Sequence, residues 1–425
     1  MDRNLIIFLC MLAVFAVGVM RFKLPAGVSL VIASMVGSLA AGEGLPVRHF
    51  VEGAFAFFDP ILIIAVGMIF MEAMTRDGIL AGISIAILKT FHRWPTVLIL
   101  AIALFVMLPG MLTGLSTMCI LTTGALAMPV LIAIGIPRIA VGSLMVILSV
   151  CGAVAPPICL PAMIIGGGAD MPYIGLAKPL LLASIPVAIA DVLPYRFKYV
   201  RKIDVDEVLA KLAFAGTARR GALDFVPILF VIVYMFGETM FARHFHRLGI
   251  PLIFAIGIAM NGAIGLVKGR KTDLIGIAGE GIRKALPVMA ILIGVGVFLQ
   301  ILTLTGIRGY LTTAAFFLPD ALKYGIALLM PFLGSAFGAA SIIGVPLLYV
   351  FIERNALVVT ASLVLMASVG DVMPPPSLLC AYTAQLLGEK NHFKLLRQSM
   401  PIIVFAMVWA LLMLIFAKDI ANLIL

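Results

Sequence analysis

The sequence predicts an all-α polytopic membrane protein made of two inverted repeats, and three observations carry that prediction. The first is composition: 63% of the 425 residues are hydrophobic and 12% charged, about half the charged share that a water-facing surface needs. The second is patterning: about ten apolar stretches, each near the ~20 residues a helix needs to cross a bilayer, are separated by short charged joints. The third is self-similarity. GMIFMEAMTRDGI from Gly67 lies over VGVFLQILTLTGI from Val295, pairing Phe70 with Phe298, Thr75 with Thr303 and Gly78 with Gly306. SVCGAVAPPICL from Ser149 lies over SVGDVMPPPSLL from Ser368, and an internal duplication is the economical explanation.

Each repeat is expected to hold three scaffold spans, an arm helix on the membrane surface, a re-entrant hairpin, a broken span and a closing span. Residues 1–77 supply the first scaffold spans, at 4–20, 25–41 and 54–74. No small-residue cleavage pattern follows the first, which therefore reads as a retained span. Residues 78–94 form a cytoplasmic arm, with Ile79, Leu80, Ile83, Ile87 and Leu88 at helical spacing. Residues 95–195 form the first transport unit. Its hairpin is punctured by Pro109, Gly110, Gly114, Ser116 and Thr117, its next span is broken by Gly152, Pro156, Pro157 and Pro161, and 176–195 returns. Proline lacks the backbone donor and clashes one turn back, so the helix must unwind there. After the basic joint 196–223 the plan recurs, with scaffold spans in 224–305 (224–240, 250–267 and 285–305), an external arm at 306–318 and a second transport unit over 319–425. Gly334, Ser335, Gly338 and Ser341 mark its hairpin, and Gly370, Asp371, Pro374, Pro375 and Pro376 its break.

The formal charge of +10 sits in the joints, where it marks topology and offers no stripe for nucleic acid. Arg21 with Lys23, Lys89 with Arg93, the central joint, Lys268 with Arg270 and Lys271, and Lys390 with Lys394 and Arg397 are expected on the cytoplasmic side. Both termini then lie outside and the second copy is upside-down. Arg243, His244, His246 and Arg247 fall outside, against the rule. The five cysteines, Cys10, Cys119, Cys151, Cys159 and Cys380, lie in apolar segments and read as small buried hydrophobes.

Unpaired backbone at membrane depth is tolerated only against protein or a water-filled cavity, so the four interruptions are expected to converge on one midplane cavity. Half-helix N-termini favour an anion. A small anion, such as a carboxylate, is therefore expected on Gly114, Ser116, Thr117, Pro156, Pro157, Ser335, Ser341, Pro375 and Pro376. Carbonyls freed at Gly152 and Gly370, with Gly334 and Asp371, are the candidate sodium ligands. Asp371, an ionisable group at mid-membrane, ligates a cation or carries a coupling proton, or else caps the broken helix. Asp191, Glu238 and Asn261 read as structural polar groups. The glycines at 166–168 lack the lysine of a phosphate loop, and no His-Glu-x-x-His, serine-base pair or paired aspartate set suggests an intramembrane enzyme. No organic cofactor is expected.

On GMIFMEAMTRDGI, the hairpins and the proline breaks, nearly the whole chain resembles the large membrane subunit of a tripartite ATP-independent periplasmic (TRAP) transporter, within the wider ion-transporter superfamily. It departs from that pattern at Gly114-Leu115-Ser116, where the family has a glycine-serine pair, and at Pro156-Pro157-Ile158, where it has proline-proline-serine. RFKLPAGVSL from Arg21 is also similar to gluconate-type permeases, which work without a soluble partner. The TRAP resemblance implies an elevator mechanism in a bacterial inner membrane and sodium-driven import of an organic acid such as a dicarboxylate. It also implies a small membrane subunit on a separate chain and a periplasmic substrate-binding protein.

Overall fold

Hydrocarbon cannot satisfy a bare peptide group, so a chain of this composition must pair its backbone within each segment. The computed structural model describes residues 2–200, 205–211, 221–240, 245–270, 273–374 and 377–424. Every regular element among them is helical. Nine of the described helices are long and apolar enough to cross a membrane.

The first scaffold spans are Arg3–Met20, Ala26–Ala41 and Phe58–Arg76. A separate amphipathic helix, Val47–Phe55, precedes the third, where the sequence suggested one span from residue 54. Phe57 leaves helical geometry (φ −111°, ψ 33°) and divides the two. Scaffold helices return as Val226–Met240, Ile250–Val267 and the 31-residue Leu274–Leu304. The last was expected to begin near residue 285, after the charges Glu280, Arg283 and Lys284. The helix runs through them because Lys284 has a partner: its Nζ donates to Glu72 Oε2 at 2.6 Å, while Arg76 Nε donates to Oε1 at 2.8 Å. A paired charge does not end a span, and an unpaired one would be costly there.

Leu274–Leu304 packs on Ala26–Ala41, Val47–Phe55 and Phe58–Arg76. Small residues permit the approach: a Cβ on Gly53 would lie 2.7 Å from Val297 Cα, and one on Gly281 2.7 Å from Ile69 Cα. At the basic end, Asn261 Nδ2 donates to Asp77 Oδ2 at 2.7 Å, and Asp224 accepts from Lys268 at 2.7 Å and from Arg270.

Both arm helices, Ile79–Phe91 and Ile307–Phe316, start after a glycine with positive φ, Gly78 at 65° and Gly306 at 72°. The first hairpin comprises Pro95–Thr113 and Ser116–Ala133. The second comprises Asp320–Leu329, a 3-10 turn Met330–Leu333, and Ala336–Val350. The broken spans are Arg138–Val154 with Leu160–Gly168, and Ile352–Val369 with Leu378–Leu387. Ala177–Tyr199 and Phe393–Ile415 close the two units, and Ala417–Ile424 follows. Each half thus contains an arm helix, a hairpin, a broken span and a closing helix in that order. The central joint keeps a short helix, Val205–Lys211, among its described residues. Four cysteines are buried as expected, but Cys10 is exposed on the first span.

Candidate substrate and ion site

Each hairpin turns at a glycine in the left-handed region, Gly114 and Gly334, both with φ 71°. Only glycine adopts that conformation without steric cost. The outgoing helical runs begin two residues later, at Ser116 and Ala336, and each passes into a π-turn at the same distance, Ile120–Gly124 and Ala340–Gly344. A Cβ on Gly114 would lie 2.5 Å from Leu160 Cγ and 3.1 Å from Leu160 N, so the first tip sits against the restart of the first broken span. A Cβ on Gly370 would lie 3.2 Å from Pro331 O and 3.5 Å from Ser335 C, so the second tip sits against the second break.

Asp371 joins the two. Its Oδ2 accepts from Ser116 Oγ at 2.7 Å, across 255 residues, and its Oδ1 accepts from Ala336 N at 3.0 Å. Ser116 and Ala336 are the first helical residues after the two tips. One carboxylate therefore lies between two half-helix N-termini, where each terminus places roughly half a positive charge. An anion was expected at these ends as substrate; in this structure the chain's own side chain stands there.

The prolines free carbonyls in both breaks by covalent chemistry. A helix pairs each carbonyl with the N–H four residues on. That residue is Pro156 for Gly152, Pro157 for Ala153 and Pro374 for Gly370. Among the described residues no other donor reaches these three carbonyls. Other groups of the first break are paired: Tyr173 OH donates to Pro157 O at 3.1 Å and accepts from Cys159 N at 2.9 Å, and Ile158 N donates to Met111 O at 3.1 Å. In the second break Ser377 Oγ donates to Val372 O at 2.5 Å. Pro375 and Pro376 lie outside the described residues. No cluster of three His, Cys, Asp or Glu side chains that could hold a metal occurs among the described residues, so a cation here would depend on carbonyls, hydroxyls and a single carboxylate.

Pro156 and Pro157 line a cavity of about 250 Å³ together with Tyr173, Glu238, Thr239 and Arg247. Among the described residues, neither hairpin tip nor the second break lines it. The junction around Asp371 and the cavity at the first break thus have different linings. Thr117 is half-buried and Ser335 O accepts from Ala339 N at 2.9 Å. Ser341 Oγ donates to Gly338 O at 3.1 Å, so its hydroxyl is committed inside its own helix. Tyr173 is the participant that sequence reasoning missed. Its only signal is a hydroxyl-bearing aromatic in the loop just after a broken span.

This fold, with two hairpins meeting two interrupted spans, is that of an all-helical multi-pass membrane protein. The chain is similar in fold to the YdaH transporter of Alcanivorax borkumensis, whose crystal structure is described as revealing an unusual topology. The superposition has a TM-score of 0.58 with 14% identical residues, covering 86% of this chain and 87% of that one. No family model matches the sequence, and no curated protein does.

Proposed function

We propose that the chain is the translocating subunit of a secondary transporter that imports a small organic anion, such as a carboxylate, down a cation gradient, with sodium as the coupling ion. The observation that carries this reading is the Asp371 carboxylate shared between Ser116 Oγ and Ala336 N. An incoming carboxylate is repelled while Asp371 is ionised and holds both helix ends. A cation bound to Asp371 removes that charge and releases the donors, which makes anion binding conditional on cation binding.

Gly114, Ser116, Thr117, Gly334 and Ser335 then frame the anion, and the freed carbonyl of Gly370 completes the cation shell with Asp371. Movement is of the elevator kind, the hairpin-bearing units sliding against the scaffold around Leu274–Leu304. The resemblance to TRAP large subunits adds a small membrane subunit, a periplasmic binding protein and a bacterial inner membrane to the proposal.

The test is uptake of labelled organic acids into proteoliposomes under an imposed sodium gradient. Asp371→Asn is expected to abolish sodium-driven uptake. Unchanged sodium dependence in that variant would overturn the reading.

A further inference from the structure

The second break carries its own carboxylate, Asp371, whereas Gly152 and Ala153 stand at the corresponding place in the first. A carboxylate nevertheless lies on the helix packed against the first broken span. Asp191, on the closing helix Ala177–Tyr199, is 0% exposed, and neither of its oxygens has a hydrogen-bond partner among the described residues. That broken span carries a buried thiol, Cys151, the residue before Gly152.

The surroundings of Asp191 are otherwise uncharged. Its helix packs against Pro95–Thr113, Arg138–Val154, Ile352–Val369 and Phe393–Ile415. The first of these carries no titratable side chain. On the other three the charged residues, Arg138, Glu353, Arg354, Lys394 and Arg397, stand in the opening turns. On its own helix, Arg196 is engaged by Thr96 Oγ1 at 3.0 Å and Val200 O at 2.8 Å.

A carboxyl kept only for packing would have found a donor. Two bare buried oxygens cost several kcal/mol, and a leucine of similar size would remove that cost. Sites that break a local rule in this way are where function resides. We infer that Asp191 is the first repeat's cation site, supplied from the neighbouring helix, and that it takes up a proton or a sodium ion beside the freed carbonyl of Gly152. Each repeat then contributes one carboxylate to coupling, within the break in the second and behind it in the first. This inference rests on the transporter reading above.

The experiment uses the purified full chain as wild type, Asp191→Asn, Asp191→Leu and Asp371→Asn. Melting temperature is recorded in sodium chloride against choline chloride and across pH, alongside radioactive sodium binding. Asp191→Leu is expected to melt above wild type in choline, because the bare carboxyl is gone. If sodium is the ligand, Asp191→Asn weakens sodium binding by about tenfold or more. If it is a proton, wild type melts lower as pH rises, since ionising an unpartnered buried carboxyl is costly, and Asp191→Asn removes that slope. Should Asp191→Leu fail to fold, the nearly isosteric Asp191→Asn carries the test. The inference is overturned if both Asp191 variants keep the wild-type responses to sodium and pH. If only Asp371→Asn loses them, the transporter reading stands without it; if wild type shows neither response, both fall.

Discussion

The two transport units solve the same backbone problem with different side chains. Each turns its hairpin at a glycine with φ 71° and follows it with a π-turn, and each places a proline four residues after the glycine of the broken span. Their polar partners diverge. The second break reaches outward through Asp371, which takes one donor from each hairpin. The first turns inward, with the hydroxyl of Tyr173 bridging Pro157 O and Cys159 N. The interrupted backbone is common to both units, and the residues that fill it differ between them.

The largest effect expected from breaking that comparison is at Asp371. Replacing it by alanine removes the acceptor from Ser116 and Ala336 together, and two donors left without a charged acceptor correspond to about 3 kcal/mol of stability. Ser116→Ala removes only the link to the first hairpin and is expected to cost about 1–2 kcal/mol. Denaturant unfolding of the purified chain measures both. Equal losses would mean that Ala336 N contributes nothing and that the carboxylate serves the first hairpin alone.

Tyr173→Phe sharpens the comparison from the other side. It leaves the amide of Cys159 and the carbonyl of Pro157 unpaired and is expected to cost about 1–2 kcal/mol. The sodium dependence of uptake should be unchanged, because the hydroxyl closes the first break without touching Asp371. A changed sodium dependence would show that the two breaks are not chemically separate.

Proline and glycine act through covalent geometry, so the hairpin tips and the broken spans were legible from single residues. The scaffold spans were legible from hydropathy, with two failures. Val47–Phe55 was lost because its apolar face merged with the next span. Leu274–Leu304 was cut short because the partner of Lys284, Glu72, lies 212 residues away. The site was half legible for the same reason. Asp371 stood out as an acid at membrane depth, but its donors are 255 and 35 residues distant. Tyr173, 16 residues beyond Pro157, carries no motif. Local chemistry announces an interruption, and only the fold says what fills it.

The smallest effect should come from the loops that lead from each broken span to its closing helix. In the first repeat Arg308 donates to Gly168 O and Tyr349 OH and lies 5.2 Å from the centre of the Tyr349 ring, tying the end of the broken span to the second arm helix. In the second repeat the loop turns at Gly388 (φ 68°) and carries a surface pair, with Lys394 Nζ donating to Glu389 Oε1 at 3.0 Å. Hydrogen bonding from Lys394, and then from Asn391 N, holds the Glu389 carboxyl below the usual carboxylate range. A depressed carboxylate adds stability that is complete above its unfolded value and is lost as pH falls through its folded value. Solvent screens this pair, so Glu389→Gln is expected to leave the neutral-pH unfolding midpoint within error. The variant should differ from wild type only by a shallower loss of stability in acid, below about pH 4.3. A clear drop at neutral pH would mean that the second loop, like the first, is anchored to the bundle through its polar side chains.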